Sequence, residues 1–409
     1  MGGCNDQGFE TVGMTESIRV LHIFVANYKH RFGGPLFDWK YAFSKWNDPD
    51  ISHFVLDTES QKIIEAKEAF DFELSDDQYI MSRWEKIKWT LILLVLIRKL
   101  RKEFDLVHFH VLWWAGLLGA VYLKLLGIPT LYQSVLLYGD TPSGIAEQKF
   151  GKLKIWCLKK FSAIVPISDF LAEDYLKFGF QPTKVHTLMN SVDIEVFHPV
   201  GSDTEKKALR LLHSLPEDEK ILLFVGSVIW RKGVDLMIES LIKAQREYGK
   251  LYLVIVGARY RKENPSIDEE FVNKLQSKII ENGLRKKVKF VGLIQDRDRL
   301  AEIYRASDIF IFPSRNEGLG NVVLEAMACA LPVIVSRLPV LEKVIQDGEN
   351  GIFVPIEDSD ALKNAVVSIA QNTTLAKKIG KAAHQYVISN HRFEEWERRL
   401  SLVYRQLLT

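Results

Sequence analysis

The sequence predicts an α/β chain of two doubly wound domains, each built on a parallel sheet. Three observations carry that prediction. Short aliphatic and β-branched runs alternate with helical patterns along nearly the whole length, as they do where helices cover both faces of a parallel sheet. At 409 residues and 47% hydrophobic content, the chain can bury two cores. A polar, proline-bounded stretch at 199–216 separates two halves of similar pattern.

Taken in order, the first half opens on a polar, glycine-rich tail, 1–17, expected to be disordered. A domain over 18–198 follows, with strands expected at 20–25, 51–56, 106–110, 130–132, 163–167 and 184–188. Helices are expected at 84–103, 116–126 and 169–177. The second domain, 199–385, has strands expected at 220–226, 252–256, 289–291, 309–312 and 333–335. Its helices fall at 234–248, 267–282, 298–305 and 321–329. The last segment, 386–409, carries Phe393, Trp396, Leu400, Val403, Tyr404 and Leu407 at largely helical spacing, and is expected to close back onto the first domain.

Composition removes several function classes. A formal charge of +2 does not call for nucleic acid. Three cysteines, Cys4, Cys157 and Cys329, supply neither a disulfide framework nor a clustered metal site, which fits a reducing, cytoplasmic compartment. The apolar run at 89–97 is about half of the ~20 residues a membrane span needs. Its flanks are basic (Lys86, Lys88, Arg98, Lys99, Arg101, Lys102) and carry Trp84 and Trp89, so 84–102 reads first as a buried helix with solvated, cationic ends and second as a helix in peripheral contact with the inner face of a membrane.

The chemistry concentrates in FPSRNEGLGNVVLEAMACALPVIVS, residues 312–336. This reads as strand, glycine-rich loop, helix, strand. Glu317 lies in the loop and Glu325 on the helix, with Gly318, Gly320 and Asn321 between them. Such a loop leads into a helix N-terminus, where backbone amides bind anions at the C-terminal edge of a parallel sheet. Two carboxylates beside a phosphate cradle suit a ligand with both a pyrophosphate and hydroxyls, namely a nucleotide sugar. A Glu in the first turn of a helix is also ordinary macrodipole chemistry; the glycine-rich loop between two strands favours the ligand. A second signal is FVGSVIWRKG, 224–233, where Arg231 and Lys232 stand at a strand-to-helix junction and can face phosphates.

Together these segments resemble the donor domain of the retaining GT-B glycosyltransferases of the large family-4, group 1 type. HIFVANYKHRFGGP, DLVHFH, AIVPISDFLAEDYLKFGF and HTLMNSVDIEVFHP extend the resemblance through the first half. It implies two Rossmann-like domains facing across a cleft and a hexose moved from a nucleotide-diphosphate sugar to a hydroxyl of a glycan or lipid-linked acceptor. By the same resemblance the donor is a UDP- or GDP-sugar, no metal or cofactor is needed, and Glu317 holds the sugar hydroxyls while Glu325 holds the ribose. Amides of Gly320, Asn321 and Val322 hold the pyrophosphate, Lys232 neutralises it, and Gly33 and Gly34 close over it from the first domain.

The sequence departs from the family in places. Ser227 stands where Arg is common, with Arg231 as the nearby substitute. Ser191 stands in the Asn190-Ser191-Val192-Asp193 run where Gly is usual. No His follows the strand ending at Tyr132, which leaves His110 and Asp140 as acceptor-side candidates. These departures motivate a second reading, a catalytically degenerate GT-B protein serving as a nucleotide-binding or assembly scaffold. Asp48-Pro49-Asp50 and Asp296-Arg297-Asp298 match a metal-binding Asp-x-Asp, but read more simply as a turn and a helix N-cap.

Overall fold

A computed structural model describes residues 17–24, 34–57, 60–69, 82–110, 112–136, 139–264 and 266–409. In the first domain the order is β1 (Ile18–Ile23), α1 (Gly34–Lys45), β2 (Ile51–Asp57), β3 (Lys62–Glu65), α2 (Ala66–Ala69), α3 (Arg83–Leu100) and β4 (Leu106–Phe109). Then come α4 (Trp114–Leu125), β5 (Thr130–Ser134), α5 (Pro142–Ala146), α6 (Gly151–Leu158), β6 (Ala163–Pro166) and α7 (Asp169–Lys177). The second domain runs α8 (Asp203–Leu212), β7 (Lys220–Val225), α9 (Val234–Glu247), β8 (Leu251–Val256), α10 (Glu269–Glu281), β9 (Val288–Gly292) and α11 (Arg297–Ala306). It continues β10 (Ile309–Phe312), α12 (Asn321–Ala328), β11 (Val333–Ser336), β12 (Ile352–Val354), α13 (Ser359–Gln371) and α14 (Thr373–Asn390), and α15 (Phe393–Leu408) ends the chain.

The two sheets have the orders β3-β2-β1-β4-β5-β6 and β12-β11-β10-β7-β8-β9. They are the same doubly wound order read in opposite directions. All described pairings are parallel except the β2–β3 edge hairpin. Their strands are buried on both faces, which is why they read as unbroken apolar runs rather than as alternation. In each sheet the order reverses between two central strands, β1/β4 in the first and β7/β10 in the second. Those reversals open crevices at the C-terminal strand ends.

Three expectations are corrected. The segment at 184–188 is no strand: Pro182–Lys184 is a 3-10 turn, and Val185 makes one bridge to Ile164. The chain there donates to β6 through His186 N–Ile164 O and Leu188 N–Pro166 O, both 2.9 Å, without building a ladder. The stretch at 199–216 is not a bare joint, because Ser202 accepts from the Glu205 amide and starts α8. Helix α8 is fastened to the second domain by Asp308, which meets Lys206 at 2.7 Å and Arg210 at 2.5 Å. Burial acts to raise the Asp308 carboxyl, yet those two cations and the Ile221 amide hold it below its usual range. Finally β3, β12, α1, α2, α5, α6, α13 and α14 are elements beyond those expected; the tail at 1–16 lies outside the described residues.

At the end of α14 the chain crosses between domains at His391, whose ring meets the Asn190 carbonyl at 2.9 Å. Helix α15 then lies on the first sheet. Phe393, Trp396, Leu400, Val403 and Tyr404 pack with Trp39, Phe43 and Trp46. Its polar face is tied down too. Arg405 grips Asp48 with two hydrogen bonds of 2.8 and 2.9 Å, and Glu397 accepts from the amides of Asn47 and Asp48. Asp48-Pro49-Asp50 is thus the turn on which α15 docks. Asp296 caps α11, accepting from the Asp298 and Arg299 amides.

Candidate active site

The two loops singled out in the sequence leave β7 and β10, which are neighbours in the sheet. They therefore flank the crevice of the second domain. Backbone packing sets their shape. Gly257 crowds the loop after β7, since a Cβ there would lie 2.1 Å from the Gly226 carbonyl. Gly233, at φ 70, opens α9, and a Cβ on it would lie 2.0 Å from the Pro313 carbonyl. Only glycine permits that contact, so the β7 and β10 loops are locked together. Arg315 adds a second lock: it donates to both carboxylate oxygens of Asp235 and to Glu357, and stacks on Trp230 at 4.2 Å. Sequence reasoning passed over Arg315; its place two residues before Glu317 was the only available signal.

Held this way, Glu317 is buried and faces two cations. Its Oε1 lies 2.6 Å from Lys232 Nζ and 3.0 Å from Arg231 Nη1. Arg231 also donates to the Asn316 carbonyl. Burial pushes the Lys232 ammonium below its usual value, opposed by the pull of Glu317. Ser227, by contrast, accepts from Asn264 Nδ2 at 2.9 Å. The position where the resemblance leads one to expect Arg is thus a polar tie between loops.

Helix α12 begins beside this group. Its N-cap is Gly320, at φ 81, which brings no capping side chain to the first turn. Asn321 and Val322 follow. Glu325, one turn further on, is buried and accepts from the Tyr304 hydroxyl at 3.0 Å; the same hydroxyl reaches the Val322 carbonyl at 3.2 Å. Burial raises the Glu325 carboxyl, while Arg297 and Tyr304 draw it back down. Arg297, which also lies over Tyr41 at 4.9 Å and Phe197 at 5.1 Å, was not singled out beforehand.

The first domain touches the same loop. A Cβ on Gly318 would sit 1.7 Å from the Val135 carbonyl, just past β5. Asn190 Nδ2 donates to Asn321 Oδ1 at 2.6 Å. The C-terminal edges of the two sheets therefore face each other across the cleft. Gly34 starts α1 at that edge, and Gly33 lies outside the described residues.

The acceptor-side candidates are placed differently. Asp140 is turned into its own loop, accepting from the amides of Val135 and Leu136 and from Ser134 Oγ. It shapes the loop that meets Gly318. His110 directly follows β4 and joins His22, His53 and His108 beneath Trp39 and Trp46. His22 links His110 at 2.9 Å and His53 at 2.8 Å, and Tyr404 of α15 meets His108 at 2.7 Å. Among the described residues, His22, His108 and His110 form the group with ligand atoms close enough for a metal, all in the first domain. Burial holds His53 and His110 at about 3, and His22 and His108 well below the usual value.

Two Rossmann-like domains with this cleft define the GT-B glycosyltransferase fold, and the comparisons agree. The glycosyl transferases group 1 model matches residues 205–386, and the glycosyltransferase family 4 model matches 75–196. The chain belongs to the group 1 glycosyltransferases. D-inositol 3-phosphate glycosyltransferase 2 of Catenulispora acidiphila is 28% identical over 284 residues, 65% of this chain and 62% of that protein. The chain thus covers less than two thirds of that relative's length. The lipopolysaccharide core biosynthesis mannosyltransferase LpcC of Rhizobium leguminosarum is 28% identical over 64% of this chain and 70% of its own. Among solved structures, Anabaena Alr3699/HepE in complex with UDP-glucose superposes with a TM-score of 0.75 at 15% identity, covering 95% of this chain and all of that one. Sucrose-phosphate synthase from Thermosynechococcus elongatus gives 0.71 at 23%, over 96% and 99%. At these identities the structural likeness speaks for the fold.

Proposed function

We propose that the protein transfers a hexose from a UDP- or GDP-sugar to a hydroxyl of a glycan or lipid-linked acceptor, with retention at the anomeric carbon. One observation carries the reading: Arg231, Lys232 and Glu317 converge where the glycine-capped N-terminus of α12 meets the crevice of the second sheet. A departing nucleoside diphosphate develops negative charge, and preorganised cations and amides stabilise it. Lys232 and Arg231 supply the cations and the first turn of α12 the amides, a set that does this work without a metal. Glu317 orients the sugar by accepting from its hydroxyls, and Glu325, steadied by Tyr304, takes the ribose. As the bond from the anomeric carbon to the diphosphate breaks, the acceptor oxygen bonds to the same face and its proton passes to the departing phosphate. The Anabaena neighbour's UDP-glucose complex supports testing a uridine donor first.

Calorimetry with UDP and GDP, followed by acceptor-dependent nucleotide release, tests the proposal. Glu317→Gln is expected to lower turnover by about 100-fold or more. Nucleotide affinity should stay level or rise, because Glu317 competes with phosphate for Lys232. Normal turnover in the variant would remove Glu317 from its role. Nucleotide binding with no release from any donor would instead favour the scaffold reading that Ser227 motivates.

A further inference from the structure

We propose that the outer face of the α3–α4–α6 layer docks on an anionic phospholipid bilayer. All three helices cover one face of the first sheet, burying Trp89, Leu93, Leu123 and Leu158 among others. Their opposite sides carry apolar residues that the fold leaves in water. On α3, Trp84 is 80%, Leu91 60% and Val95 65% exposed, and all three project opposite Leu93. On α4 and α6 the same side carries Leu125 and Trp156, with Phe150 at the α6 N-cap. The sequence marks only α3; its neighbours extend the patch across the layer. Single exposed apolar residues are ordinary, but a contiguous patch marks a contact surface.

The charge of this face selects the partner. Lys88, Arg98, Lys99, Lys124, Lys152 and Lys159 are exposed, and none pairs with a carboxylate among the described ion pairs. Crowding is strong enough that burial and the charges of Lys124 and Lys160 lower Lys184. Cations near helix C-termini also answer the macrodipole. That does not explain the Trp and Leu side chains beside them, which are the pattern of interfacial helices. Lys160 lies 4.2 Å from the Trp156 ring and Lys154 5.7 Å from that of Trp114. No described helix is long and apolar enough to cross a membrane, so contact is at the surface.

Orientation gives the docking a purpose. Helices α4 and α6 follow the C-terminal ends of parallel strands, so Trp114 and Phe150 stand at the edge where the cleft opens. Trp89 of α3 stacks on Trp113 at 5.3 Å, which brings the Trp84 end to the same edge. A bilayer against this face lies beside the cleft mouth, which suits a lipid-linked acceptor. That consequence rests on the proposed transfer reaction; the docking itself does not.

Flotation of the full chain with vesicles tests it, using phosphatidylcholine alone and mixed equally with phosphatidylglycerol. The protein is expected to float with the anionic vesicles only and to be released at about 1 M salt, where the Debye length is ~3 Å. The triple variant K88E/R98E/K99E should lower partitioning about a hundredfold, and W84S/L91S about tenfold or more. W156S on α6 should weaken it as well. All these side chains are exposed, so melting curves and nucleotide affinity should match wild type, which separates failure here from failure of the donor site. Equal partitioning of wild type and variants, or none by wild type, would overturn the proposal. So would a dimer in sedimentation that W84S/L91S abolishes, since that would assign the face to contact between copies.

Discussion

At the scale of single residues, Glu317 shows what neighbours add to a carboxylate. Its position in a glycine-rich loop is legible from spacing, but the pairing with both Arg231 and Lys232 depends on two loops 85 residues apart meeting at adjacent strands. The histidines make a similar point in the opposite sense. His108 and His110 read as a strand end in the sequence, whereas His22 and His53 gave no signal at all. Together they form a neutral, stacked cluster in an aromatic layer. Their folded values lie below the usual 6.5, so the unfolded chain binds more protons between pH 6.5 and about 3. Stability contributed by the neutral rings is complete above pH 6.5 and falls as the pH drops through that window. Each ring that stays neutral is expected to cost on the order of 1 kcal/mol per pH unit. Urea unfolding of wild type and His53→Gln across pH 7 to 4.5 checks this. The variant should show a shallower acid limb; an identical slope would rule His53 out.

At the scale of elements, glycines divide the site into a rigid part and a movable part. Gly233 meets Pro313 within one domain, so Gly233→Ala must distort the domain itself. It should destabilise the protein by about 2 kcal/mol or more, read from the urea midpoint. Gly318 meets Val135 across the cleft, and domains yield more easily than cores. Gly318→Ala should leave the melting temperature nearly unchanged, increase the radius of gyration in solution scattering, and depress turnover. A large loss of stability with no change in size would show that the cleft does not open to relieve the contact. Most elements were visible in the sequence because buried parallel strands are continuous apolar runs. Helix α8 was missed although Ser202 and Glu205 stand at N-cap spacing, because its proline-bounded, polar sequence looked like a linker. The expected strand at 184–188 failed for another reason: its apolar residues were real, but it bonds to β6 without forming a ladder.

At the scale of the whole molecule, the chain's end completes its beginning. Helix α15 buries five large apolar or aromatic side chains against the first sheet, worth about 2 kcal/mol each before entropy. That gross figure, about 10 kcal/mol, matches the net stability of an ordinary domain. Deleting residues 392–409 should therefore yield a first domain with no cooperative unfolding transition and an exposed, dye-binding core. A sharp transition of normal amplitude in the truncated chain would show that the first domain stands alone.

By itself, the sequence determined the class of fold and the chemical character of the loops after β7 and β10, since strand burial, loop glycines and helix N-termini are local and leave local marks. The tertiary structure decided what those marks touch. It placed the β7 and β10 loops side by side, gave Ser227 to Asn264 and Arg231 to Glu317, turned Asp140 into its own loop, and set Asp48 under Arg405. It also merged the exposed sides of three separate helices into one basic, apolar face. Each of these depends on which strands become neighbours, and that order is set by packing over the whole chain, which no single stretch of residues records.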